Sequence, residues 1–152
     1  MIREALIFTK QSFTRKEEVI SFVADRAEQE GLLNNKEEFV QAVYRREEEI
    51  STSLGYGMAI PHGKTDAVKE PFMAFISLAK PFEWDSTMKD QVEAIFLIGV
   101  PKTNTEMLHL KAIAAISKKL MNEEFRKKLY ACQTNHEAYE MLRDIDEKIK
   151  ED

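Results

Sequence analysis

Apolar positions along this chain fall into two kinds of block, short unbroken runs and stripes at helical spacing. Ala5-Leu6-Ile7-Phe8 is a short run and predicts a strand. Thr14-x-x-Glu17 reads as a capping box, opening a helix in which Val19, Phe22, Val23 and Ala27 recur at helical spacing. Gly31 is its stop signal. Asn35-x-x-Glu38 opens a second helix, with Phe39, Val40 and Val43 on one face, which runs into Arg45-Arg46-Glu47-Glu48-Glu49. Phe72 to Leu78 and Val92 to Ile98 are too apolar to be half-exposed, which predicts strands in the middle of a covered sheet. Between them Pro81 to Asp90 is a polar connection carrying the only tryptophan, Trp84. From Thr105 the pattern is helical: one helix from about Thr105 to Leu120, a second from near Glu123, and a third capped by Thr134-x-x-Glu137. Ala138, Met141, Leu142, Ile145 and Ile149 form the apolar face of that third helix. Strand, two helices, several strands and three helices predict an α/β fold in which helices cover a mixed β-sheet.

Bulk properties narrow the class. With 152 residues, 43% apolar and 32% charged, the chain has enough core for one domain, expected over 1–152, and is not of disordered composition. A net charge of −5 argues against a nucleic-acid or anionic-membrane surface. No apolar run approaches a membrane span, and Met1-Ile2-Arg3-Glu4 does not begin a signal peptide. Cys132 is the only cysteine, so no internal disulfide and no cysteine-rich metal site are expected; it is placed in an amphipathic helix as ordinary packing. The expected localisation is cytoplasmic.

Chemistry concentrates in Gly57-Met58-Ala59-Ile60-Pro61-His62-Gly63-Lys64, which follows a Ser/Thr/Gly-rich stretch from Ser51. Proline ends a sheet ladder, and glycine permits a turn or a close approach. His62 is thereby held at the end of a strand, where a neutral imidazole can act as nucleophile or base. His109 lies in the first turn of the helix from Thr105, in line with Ile113, Ile116 and Leu120, while Lys111 and Lys118 face away. It reads either as a core histidine bonded to backbone or as a second imidazole at a helix N-terminus, where an anion is favoured. Arg45 and Arg46 read either as charges satisfying a helix C-terminus or as guanidinium groups for an oxyanion, with Glu47 placed to hold the arginine. His136 shares a polar face with Glu140, Arg143 and Glu147 and is read as solvated. Other chemistry fits less well. No HExxH, GxSxG or glycine-rich nucleotide loop occurs, and His62 with Asp66 would pair only on a helix that Pro61 and the glycines oppose.

Arg46-Glu47, then Ser51 through Ala59-Ile60-Pro61-His62, then Leu108-His109-Leu110, resemble the enzyme IIA component of the fructose–mannitol class of the bacterial phosphoenolpyruvate-dependent sugar phosphotransferase system. The resemblance covers nearly the whole chain, and its Ala-Ile-Pro-His segment with the upstream Arg-Glu is the specific part. Ser53-Leu54-Gly55 departs from the glycine found there in many members, a difference of loop detail. The resemblance implies a sheet flanked by helices on both faces, with the histidines at one end. It implies that His62 accepts a phosphoryl group from the carrier protein HPr and passes it to a cysteine of an enzyme IIB. His109 would stabilise the group and Arg46, or less readily Arg45, would orient it. Enzyme IIC, the sugar permease, would be an indirect partner, and IIB and IIC would lie on other chains. The residues call for no cofactor, metal or nucleotide. An apolar rim is expected around the histidine, with Met58, Met73 and Met88 as candidates. The alternatives are a regulatory module of the nitrogen-related branch, signalling through phosphorylated His62, and an unrelated hydrolase or zinc protein using both histidines.

Overall fold

The computed structural model describes residues 1–86, 90–103 and 107–150. In chain order these form β1 (Ile2–Gln11), α1 (Lys16–Gln29), α2 (Lys36–Glu49), β2 (Ser53–Gly55), β3 (Met58–Ala59), β4 (His62–Lys64), β5 (Phe72–Glu83), β6 (Gln91–Val100), α3 (Leu108–Leu120), α4 (Glu123–Tyr130), α5 (Asn135–Leu142) and α6 (Asp144–Lys150). The sheet order is β1-β5-β6-β3-β2, with β4 also on β6. β1 and β5 are parallel, β5 and β6 antiparallel, and β3 and β4 both run parallel to β6, so the sheet is mixed. The two most apolar runs are its central strands, as their composition predicts.

Side chains alternate across those strands and build a core on each face. Phe72, Ala74 and Ile76 of β5 pack with Val19, Val23, Phe39 and Val43 of α1 and α2. Met73 and Phe75, one residue out of phase, pack with Ala112, Ile116, Leu129, Leu142 and Ile145 of α3 to α6. Helices therefore cover both faces.

Several local expectations change. Thr14 does not cap through Glu17; both its N–H and its hydroxyl donate to Glu18 Oε1, at 3.1 and 2.9 Å, and α1 starts at Lys16 with Arg15 as its cap residue. Residues 51–64 contain the short strands β2 to β4, and His62 opens β4 where the sequence placed it at the end of a strand. β5 runs through Pro81 to Glu83, tolerating the proline where its register with β6 shifts between Ser77 and Phe82. The C-terminal helix breaks at Arg143 into α5 and α6, although its apolar stripe stays buried. Cys132 follows α4 and is not helical, though it is buried as packing. The start of α3 at Thr105 falls outside the described residues; the helix is described from Leu108.

Gly63 and Gly99 are cross-strand partners of β4 and β6. A Cβ on Gly63 would lie 3.1 Å from the Phe39 ring, and one on Gly99 would lie 2.5 Å from the Phe72 ring. The pair makes room for two phenylalanines against bare backbone, which seats α2 closely on β4. Gly63 therefore serves a close approach, one of the two roles that the sequence allowed, and not a turn.

Candidate functional site

His62 opens β4 and pairs with Ile98 of β6. The strand is short because Pro61 precedes it and has no N–H to donate. The imidazole is only 8% exposed, and its Nδ1 lies 3.1 Å from the Ile60 carbonyl oxygen. A carbonyl only accepts, so Nδ1 donates and the lone pair resides on Nε2. Burial lowers the His62 pKa, and the nearby Arg46 charge adds to this, while the Ile60 bond and the Glu47 and Glu49 charges oppose it. The ring is thereby held neutral with one fixed tautomer, the state that a nitrogen nucleophile requires.

His109 is the second residue of α3. Its ring centroid is 5.5 Å from that of His62, with an angle of 35° between the planes. Burial lowers its pKa too, followed by the charges of His62, Lys64 and Arg46. Its Nδ1 is buried and has no hydrogen-bond partner among the described residues. The reading of His109 as a core histidine bonded to backbone does not fit that nitrogen. Met107 precedes the helix in a left-handed conformation, φ 59°, and offers no side-chain cap. The first turn carries no acidic residue.

A cleft of about 280 Å³ opens over the two rings, lined also by Ala42, Arg45, Arg46, Glu49 and Lys64. Its lining carries three cations against one carboxylate, a net positive charge. Arg46 is half-buried, with Nη1 donating to the Ile50 carbonyl at 2.9 Å and Nε 4.0 Å from Glu49 Oε2. Arg45 is exposed on the same rim. Lys64 did not emerge from the sequence reading. The signal was there: two residues along a strand return to the same face, so Lys64 follows His62 into the cleft.

Glu47 does not hold Arg46. Its carboxylate is buried and accepts from the Thr52 hydroxyl and from Trp84 Nε1 at 3.2 Å, with Lys16 Nζ at 3.5 Å. It ties α2 to the segment entering β2 and to the end of β5, and so fixes the wall that carries Arg46. Sequence spacing could not show this, because Trp84 is 37 residues away.

Of the expected rim methionines, Met58 and Met73 are core residues, 2% and 1% exposed, because both point into the layer under α3 to α6. Met88 lies outside the described residues. Ile50, Met107 and Leu110 are the large apolar side chains exposed beside the site in sequence, flanking Glu49 and His109. Asp66 turns away from His62 and accepts from the Lys102 and Thr103 amides. His136 is exposed, 3.1 Å from Glu4 and 3.5 Å from Glu140. Among the described residues no cluster of three His, Cys, Asp or Glu side chains is placed to hold a metal ion. No helix among them is long and apolar enough to cross a membrane.

The family model described as "Phosphoenolpyruvate-dependent sugar phosphotransferase system, EIIA 2" matches residues 1–145. The chain belongs to this family. It is 32% identical over 140 residues to the fructose-specific EIIA component of Haloferax volcanii, covering 92% of this chain and 90% of that protein. Much longer curated relatives match at 33–34% identity, and the chain spans only 15–22% of their length. Among solved structures, the nitrogen regulatory protein IIA-Ntr of Neisseria meningitidis superposes with a TM-score of 0.82 at 26% identity, over 93% of this chain and 95% of that one. The mannitol enzyme IIA of Escherichia coli, solved in complex with phosphorylated enzyme IIB, shares the fold at a TM-score of 0.80 and 22% identity, over 95% and 99% of the two chains.

Proposed function

We propose that this EIIA domain carries its phosphoryl group on His62 Nε2, taking it from phospho-HPr and giving it to a cysteine of an enzyme IIB. The observation that carries the reading is the Nδ1 bond to Ile60, which leaves Nε2 as the lone-pair nitrogen beside a second imidazole and three cations. In the first step Nε2 attacks phosphorus as the donor's phosphorus–nitrogen bond breaks, and the donor imidazole keeps the electron pair. In the second a thiolate attacks, and the pair returns to Nε2. Neither step asks more of the protein than in-line positioning and charge stabilisation.

His109 stabilises the transferred group by donating a hydrogen bond to it. Its lowered pKa keeps the ring neutral, so the bond adds no charge that would hold the group too tightly. Arg46 orients the phosphoryl oxygens, with Arg45 and Lys64 adding positive potential. Ile50, Met107 and Leu110 supply the apolar contact that a docking protein needs. The setting is a single cytoplasmic domain working with HPr and IIB, and through them with a IIC permease. Fructose-type sugar is favoured by the Haloferax relative.

The test is to incubate the protein with phosphoenolpyruvate, enzyme I and HPr and to follow its mass. An acid-labile adduct of one phosphate, absent in His62→Ala, is the expected result. An adduct that survives in His62→Ala removes the assignment. The likeness to IIA-Ntr favours a second reading, a regulatory module whose phosphorylation state alters protein binding. The two separate on addition of a IIB: a carrier loses its phosphate to it, and a regulator keeps it.

A further inference from the structure

A second concave surface lies along α3, outside the histidine cleft. It is a groove of about 690 Å³ lined by Ala114 and Ala115 of α3, Phe125 of α4, and four lysines, Lys111, Lys118, Lys119 and Lys148. No carboxylate lines it. Lys119 Nζ sits 4.9 Å from the centre of the Phe125 ring. Lys118 and Lys148 have no ion-pair partner among the described residues, whereas Lys127 and Lys128 on α4 are each paired with a glutamate four residues earlier. The chain as a whole carries −5, so outside these four cations the rest carries −9. Such separation of charge is maintained against the average of the surface and marks the groove electrostatically.

Its geometry narrows the ligand. Ala114 and Lys118 are four residues apart on one helix, as are Ala115 and Lys119, so each of these cations stands one turn from a small residue. Ala114 and Ala115 are small enough for another helix to approach closely, and Phe125 provides a large apolar contact beside them. The groove holds no arginine fork, and lysines are point charges on flexible stems. That suits carboxylates spread along a segment better than one compact phosphate. We propose that this face of α3 docks an acidic amphipathic helix of a partner protein, its apolar residues on Ala114, Ala115 and Phe125 and its carboxylates toward the lysines.

The probe is a synthetic 18-residue peptide of glutamate and leucine, with leucines at helical spacing and a fluorophore at one end. A control peptide has the same composition scrambled so that no apolar stripe remains. Binding is read by anisotropy and by amide chemical-shift changes in the full chain. Expected are saturable binding, shifts centred on Ala114, Ala115 and Phe125, and at least tenfold weaker binding both of the scrambled peptide and by Lys118→Glu/Lys119→Glu. Ala114→Arg, at an exposed helical position, should weaken binding with an unchanged melting temperature, which separates docking from folding. The proposal is overturned by absence of binding, by equal binding of both peptides, or by shifts lying elsewhere. It is overturned as well if inorganic tripolyphosphate, phosphatidylglycerol vesicles or single-stranded RNA occupies the same residues more tightly than the helical peptide.

Discussion

The two walls of the histidine cleft are built in opposite ways. On the α2 side every polar group that matters is satisfied from within: Glu47 takes Thr52, Trp84 and Lys16, His62 takes Ile60, and Gly63 lets Phe39 close the gap. On the α3 side His109 has a buried nitrogen without a described partner, and the helix opens from a left-handed Met107 with no side-chain cap. The first wall holds its geometry whether or not a ligand is present. The second carries a buried nitrogen with no partner among the described residues and a left-handed residue, features that cluster at ligand sites. The nucleophile sits on the fixed wall, and the proposed stabiliser of the transferred group on the incomplete one.

The largest effect should come from exchanging stability for activity across the two walls. Glu47→Ala strands Trp84 Nε1 and the Thr52 hydroxyl in a buried place and should cost about 3 kcal/mol, as breaking one side of a buried ionic network does. For a domain of this size that lowers the melting temperature by roughly 6–12 °C. His109→Ala removes a group with an unmet hydrogen bond and should change stability by less than about 1 kcal/mol. It should instead slow onward transfer to IIB by roughly 10²-fold while leaving measurable acceptance from HPr. Calorimetry beside single-turnover transfer checks both. If His109→Ala melts as low as Glu47→Ala and transfers normally, the walls do not differ as described.

Gly63→Ala tests the fixed wall at its tightest point. The added methyl meets Val43 at 3.0 Å and Phe39 at 3.1 Å, so α2 must move outward. A cost of about 1–2 kcal/mol is expected from overpacking. Arg46 rides on α2, so phosphoryl acceptance should fall as well, and a stability loss with normal acceptance would show that α2 adjusts without moving the cleft.

The pH dependence bears on both walls together. His62 and His109 each have a pKa lowered mainly by burial, so the unfolded chain binds protons that the folded chain resists. Their contribution is fully present above the unfolded value of about 6.5 and is lost as pH falls through the lower folded values. Stability measured by urea unfolding should therefore decline below about pH 6.5 with a slope that flattens in His62→Gln/His109→Gln. An unchanged slope would place the acid sensitivity in other groups.

What could be read from the chain follows from the range of each interaction. The central strands and the amphipathic helices were legible because their signal is local periodicity. His62 was legible because Pro61 and Gly63 bracket it. His109 was legible as lying on the inward stripe of its helix, but its distance from His62 was not, since 47 positions separate them. The role of Glu47 was misread for a related reason: its nearest cation in sequence is Arg46, whereas two of its partners, Lys16 and Trp84, come from α1 and from just past β5. The bounds of strands β2 to β4 were not legible, because two or three residues show no periodicity and it is pairing within the sheet that defines them. Met58 and Met73 were taken for rim because sequence does not say which face of the sheet is covered at the cleft.

The smallest effect discriminates best between strain kept for function and strain that is incidental. Met107 is 56% exposed and holds φ 59°, a conformation that costs a residue with a Cβ roughly 1–2 kcal/mol. Glycine removes that cost but adds freedom to the unfolded chain, worth roughly 0.5–1 kcal/mol in the opposite direction. Met107→Gly should therefore stabilise the fold by about 0.5–1 kcal/mol, visible as a small rise in melting temperature. If the left-handed residue is there only to start α3, transfer should be unaffected. If its side chain is part of the docking rim, the KM for HPr should rise with kcat unchanged, since uniform binding would be lost and not transition-state stabilisation. A fall in kcat instead would mean that the glycine lets the first turn of α3 loosen, and that the strain at Met107 holds His109 in register with His62.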